Sequence, residues 1–148
     1  MKKEIFKFLI YDFIERDLAD VKKRELELPL DINKIVTLVG IRRAGKTYLL
    51  YYLARKLREQ FPRENIVYIN FEDDRIFPLA LTDMESLIQA YYELYPHKKD
   101  EIVYFLFDEI QNVPYWEKFV RRIYDTEKCR IYLSGSSSKL LSKEIATS

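Results

Sequence analysis

Apolar residues along this chain follow two alternating periods. Ile5, Phe8, Leu9 and Phe13, with Phe6, Ile10 and Ile14 on a neighbouring stripe, are spaced for a helix among charged residues. They predict a helical segment over residues 2–24. The run Ile35-Val36-Thr37-Leu38-Val39, closed by Gly40, is short, β-branched and uncharged, which suits a strand buried on both faces of a parallel sheet. After Gly45 the period lengthens again, with Leu49, Leu50, Leu53, Ala54 and Leu57 on one helix face that ends before Pro62. The alternation then repeats: a strand over 66–69, a helix over 81–95, a strand over 102–107, a helix over 115–125 and a strand over 131–133. Strands alternating with helices imply right-handed crossovers and a parallel sheet covered on both faces, an α/β three-layer sandwich.

Composition narrows this picture. The chain has 148 residues, 48% of them hydrophobic, enough for one buried core and too few for two ordinary domains. We therefore expect one domain, with residues 1–30 as an N-terminal helical segment and 31–148 as the core. Uncharged stretches fall short of the roughly 18 apolar residues that cross a bilayer, and Met1-Lys2-Lys3-Glu4 does not lead into a signal-peptide core. A cytoplasmic protein without a membrane partner is expected. The 25 basic and 24 acidic side chains leave a net charge of +1, so no global field points to nucleic acid. Cys129 is the single cysteine, which excludes an internal disulfide and predicts a structural thiol.

The chemistry concentrates at strand ends. Gly40-Ile41-Arg42-Arg43-Ala44-Gly45-Lys46-Thr47 matches G-x-x-x-x-G-K-[ST] between a predicted buried strand and a predicted helix, where a P-loop must lie. Its glycines let backbone N–H groups turn toward a polyphosphate, and the helix N-terminus presents further N–H groups to the same anion. Gly40, Arg42, Arg43, Ala44, Gly45, Lys46 and Thr47, with Tyr48 after them, are the candidate nucleotide-binding residues. Within that set Lys46 is expected to reach the β- and γ-phosphates and the Thr47 hydroxyl to ligate Mg²⁺. The side chains of Arg42 and Arg43 are expected to project away from the phosphates, because the backbone does the cradling.

The apolar run Val103 to Phe107 ends in Asp108-Glu109 and resembles a Walker B motif. Asp108 is the candidate second Mg²⁺ holder and Glu109 the candidate base for the attacking water. Ser134, with Ser136 as the next choice, leaves the fourth strand at the same edge and reads either as a sensor of the γ-phosphate or as part of a helix N-cap. Asn70 ends the second strand there too, and either restrains Glu109 until a partner binds or satisfies a turn. Glu72, Asp73 and Asp74 read as a solvated loop, Arg121 and Arg122 as surface residues, Trp116 as core and His97 as exposed.

Together, Gly40 to Thr47 with its Arg42-Arg43 pair, Phe107 to Asn112 leading to Trp116, and the Ser134-Gly135-Ser136-Ser137 turn resemble the AAA+ ATPases. More narrowly, they resemble prokaryotic, largely archaeal ATP-binding proteins whose AAA-type core precedes a C-terminal domain of unknown function. The resemblance implies ATP and Mg²⁺ as cofactors, the strand order 5-1-4-3-2 and a homo-oligomer formed through the full-length protein. It also implies that this chain lacks the fifth strand, the lid and the trans-acting arginine, leaving an N-terminal piece that binds nucleotide better than it hydrolyses it. Nucleic-acid contact is left to a C-terminal part beyond this chain. GTP is disfavoured, because the only Asn-Lys pair, Asn33-Lys34, precedes the P-loop and lacks the Asp of a guanine signature. The competing reading is a nucleotide-dependent switch with little turnover, distinguished by slow single-turnover hydrolysis and retained product.

Overall fold

Residues 2–21, 34–38 and 43–135 are described in the computed structural model. Helix α1 (Lys2–Glu15) buries Phe6, Ile10, Phe13 and Ile14, a stripe at helical spacing. It ends earlier than the predicted residue 24. Two devices, one local and one distant in sequence, account for this. The Asp17 carboxylate accepts the Ala19 N–H at 2.9 Å, turning the chain, and the Arg58 guanidinium donates to the carbonyls of Arg16 (2.6 Å), Phe13 (2.9 Å) and Ile14 (3.3 Å). The carbonyls that another helical turn would use are thus satisfied from a different element.

Strand β1 (Ile35–Leu38) leads toward α2 (Arg43–Arg58), followed by β2 (Ile66–Asn70), α3 (Asp83–Leu94), β3 (Val103–Asp108), α4 (Trp116–Thr126) and β4 (Cys129–Ser134). Among the described residues four strands run parallel in the order β1-β4-β3-β2, matching the 1-4-3-2 part of the order implied by the resemblance. Among the described residues β1 is therefore an edge, which corrects the expectation that it is buried on both faces: Ile35 and Leu38 are buried, whereas Val36 and Thr37 are only half-buried. Val39 lies outside the described residues.

Alternation along the strands sorts side chains between two cores. Val67, Ile69, Phe105, Phe107 and Leu133 face α3 and α4, while Tyr68, Tyr104, Leu106 and Tyr132 face α2. The buried face of α4 consists of Trp116, Phe119, Val120 and Ile123, as its spacing predicts. Helix α1 packs against α3 and β2, with Phe6, Ile10 and Ile14 in the first core and Phe13 in the second. It thereby covers the β2 side of the sheet, the end away from β1, and protects that edge from further pairing. Among the described residues no helix is long and apolar enough to cross a membrane.

Candidate functional site

Three strand ends and one helix start meet at the carboxyl edge of the sheet. Asp108, the last residue of β3, is opposite Asn70 of β2 in register, and Ser134 ends the neighbouring β4. Side chains at Leu106 and Asp108 share a face by strand alternation, and that face is covered by α2. The first turns of α2 carry Lys46 and Thr47 over the same edge.

Thr47 Oγ1 donates to Asp108 Oδ2 at 2.7 Å, joining residues 61 positions apart. Tyr68 Oη donates to the same Oδ2 at 2.6 Å, and Ser134 Oγ donates to Oδ1. Asp108 is fully buried, and these hydroxyl donors offset the cost of removing a carboxylate from water. Ser134 Oγ also accepts the Glu109 N–H at 3.2 Å, so one hydroxyl bridges both acids of the pair. Lys46 is buried and its ammonium donates to the carbonyl of Gly135, the residue after β4. Burial first, and the Asp108 charge second, push the Tyr68 hydroxyl far above the ordinary tyrosine range, so it remains a donor at neutral pH.

Glu109 departs from the strand with φ 55° and ψ 50°, the left-handed region that costs a residue with a Cβ about 1 kcal/mol or more. That turn ends the extended backbone of β3 at Asp108. Its Oε1 accepts from Gln111 Nε2 at 2.9 Å, and its carbonyl accepts from Asn112 Nδ2 at 3.0 Å. Asn70 makes a different contact: its Oδ1 accepts the Glu72 N–H at 2.9 Å, closing the turn after β2. Asp73 pairs with Arg75 at 2.6 Å on the same loop.

Of the other P-loop candidates, Gly45 and Tyr48 lie on α2, Tyr48 packing against the core beneath it. Gly40 and Arg42 lie outside the described residues, as do the side chains of Arg43 and Ala44, and so does Ser136. Sequence reasoning missed Tyr68 and Gln111. Their available signals were weak: a polar tip on an otherwise apolar strand, and an amide two residues after the acid pair.

The oxygen donors of Thr47 and Asp108 suit a hard cation such as Mg²⁺, which takes one or two carboxylates and keeps much of its water. Among the described residues no cluster of three or more His, Cys, Asp or Glu offers a richer metal cage.

Residues 32–148 match the family model of an AAA domain. The chain belongs to this AAA domain family. Membership places it among the AAA-type ATPases, a nucleotide-binding class. The chain is 43% identical over 148 residues to the uncharacterized protein MJ1544 of Methanocaldococcus jannaschii, covering 99% of this chain and 31% of that one. It is 38% identical over 119 residues to an uncharacterized protein of Haemophilus influenzae, covering 79% of this chain and 29% of that one. The chain thus spans about a third of the length of these relatives. Among solved structures, C. elegans PCH-2 aligns over 91% of this chain and 37% of that chain at 17% identity, with a TM-score of 0.43, too slight a likeness to carry an argument.

Trp116 is buried, His97 is exposed, and Arg122 pairs with Glu85 at 3.0 Å on the surface. Such an exposed pair contributes about 0–1 kcal/mol. Cys129 is buried, and burial pushes its thiol up to about 12, the behaviour of a packing residue.

Proposed function

We propose that this AAA domain binds ATP with Mg²⁺ at the carboxyl edge of its sheet and hydrolyses the β,γ-phosphoanhydride to drive a conformational change. The observation that carries the reading is the 2.7 Å hydrogen bond from Thr47 to Asp108 beside the buried Lys46. It unites the hydroxyl and the carboxylate of two distant motifs with a cation at one helix N-terminus.

In this reading Lys46 leaves the Gly135 carbonyl for the β- and γ-phosphate oxygens, a stronger charge-assisted pairing. Thr47 and Asp108 hold Mg²⁺, which, when bound, neutralises charge developing on the transferred phosphoryl group. Glu109 orients the attacking water and accepts its proton once it has exchanged its Gln111 contact. Ser134 keeps Asp108 and the Glu109 backbone in register, and Asn70 shapes the turn beside them. Gly40, Arg42, Arg43, Ala44, Gly45 and Tyr48 complete the proposed binding loop. The engagement of Glu109 by Gln111 at 2.9 Å favours a second reading, a switch that retains nucleotide with little turnover.

Displacement of a fluorescent ATP analogue in Mg²⁺ separates these readings from a domain that binds no nucleotide. ATP is expected to displace the probe at lower concentration than GTP. A folded chain from which millimolar ATP displaces nothing, or on which GTP competes better, would sink the proposal.

A further inference from the structure

Tyr68 contacts the site but belongs to none of the sequence motifs. It sits on β2 opposite Leu106, two residues before the Asn70–Asp108 register pair, and only the length of its side chain brings the hydroxyl to Asp108 Oδ2 at 2.6 Å. Its ring is fixed between Phe13 of α1 and Tyr51 of α2, with centroids 4.8 and 5.1 Å away. Ring packing alone would be served equally by phenylalanine. The hydroxyl is the feature that needs a purpose.

We propose that Tyr68 is a positioning residue for the divalent-cation site, holding the Asp108 carboxylate from β2 while Ser134 holds it from β4. This rests on the reading of Thr47 and Asp108 as the Mg²⁺ site. The two hydroxyls grip different oxygens, Tyr68 on Oδ2 and Ser134 on Oδ1, and come from the strands on either side of β3. Hydrogen bonds on both oxygens from opposite sides fix the rotation of the carboxylate plane, a broad torsion that the strand backbone does not set. Thr47 also donates to Oδ2, and because a hydroxyl has lone pairs to spare for a cation while it donates, it shares the hold on that oxygen with Tyr68. A carboxylate offers about four acceptor positions, and keeping Tyr68 and Ser134 in place leaves room for a water of the metal's shell. Tyr68 thereby links the metal site to α1 and α2 through one packed aromatic group.

The test is nucleotide binding by the wild-type chain and Tyr68→Phe, in EDTA and across a Mg²⁺ series, with a fluorescent ATP analogue as probe. Tyr68→Phe keeps the ring, so affinity in EDTA is expected to stay within about twofold, while the Mg²⁺ concentration at half-maximal enhancement rises roughly tenfold, the usual effect of removing an outer-shell partner. Ser134→Ala, which releases the other oxygen, is expected to move the Mg²⁺ midpoint in the same direction. An unmoved midpoint in Tyr68→Phe, or an equal loss with and without Mg²⁺, overturns the inference and leaves a packing role. If wild-type binding depends on Mg²⁺ and is lost in Lys46→Ala, such a result removes only the role of Tyr68. Wild-type binding indifferent to Mg²⁺ would remove the metal site and this inference with it.

Discussion

Glu109→Gln is expected to lower the rate of ATP hydrolysis by roughly 10²- to 10⁴-fold, the usual contribution of a positioned general base, while ATP affinity stays within about twofold. Glutamine keeps the shape and the hydrogen-bonding reach of the side chain but cannot take a proton. The backbone supports this specific effect: Glu109 is buried, held in the left-handed region, and tied through its N–H to Ser134 and through its carbonyl to Asn112. None of those contacts uses the carboxylate. Phosphate release from the chain and from a longer protein containing it is the measurement. An undiminished rate would place the base elsewhere and leave Glu109 a structural acid.

The second large effect concerns stability. Phe107→Ala is expected to destabilise the fold by about 3–5 kcal/mol, the cost of removing a buried aromatic ring and leaving a cavity. Phe107 is fully buried one residue before Asp108, with ring centroids 5.4 Å from Phe105, 5.5 Å from Phe71 and 5.8 Å from Phe119. It therefore joins β3 to α4 and to the turn after β2. Thermal unfolding is expected near 10 °C lower, at about 2–4 °C per kcal/mol for a chain of this size. A shift below about 3 °C would show that the aromatic cluster repacks freely.

Much of this architecture was legible because apolar period is a local property. The four strands and the helices α2, α3 and α4 lie where runs of β-branched residues or helical stripes predict them, with ends displaced by one to a few residues. The α1 segment shows what local pattern omits. Its apolar stripe predicts a helix, but the guanidinium that completes its last turn comes from Arg58, 42 positions beyond Arg16. Arg16 lies over the Phe13 ring at 5.5 Å, and α1, although it precedes β1 in sequence, packs beside β2 at the other end of the sheet. Which edge a helix covers depends on the completed sheet, and strand order is nonlocal.

The candidate site divides in the same way. Lys46, Thr47, Asp108 and Ser134 were singled out from motif and strand-end position, and the fold brings all four together. Their wiring was not legible. Nothing in the spacing of Tyr68 and Asp108 announces a 2.6 Å contact, because it depends on strand register and on the reach of one side chain. Asn70 and Gln111 make the same point about competition among short polar side chains. Both could reach toward Glu109, and the left-handed turn at Glu109 gives that contact to Gln111, while Asn70 closes its own turn.

The most direct test of the ATP site is a binding titration of Lys46→Ala beside the parent chain in Mg²⁺. Lys46 is a buried cation that donates to the Gly135 carbonyl, placed over the edge where Thr47 meets Asp108. Loss of its contact with a phosphate at that edge is expected to weaken ATP by at least about 100-fold, corresponding to roughly 2.7 kcal/mol, with the unfolding midpoint little changed. Equal affinity in the two proteins, both folded, would contradict the account, because nucleotide would then be binding somewhere other than the P-loop.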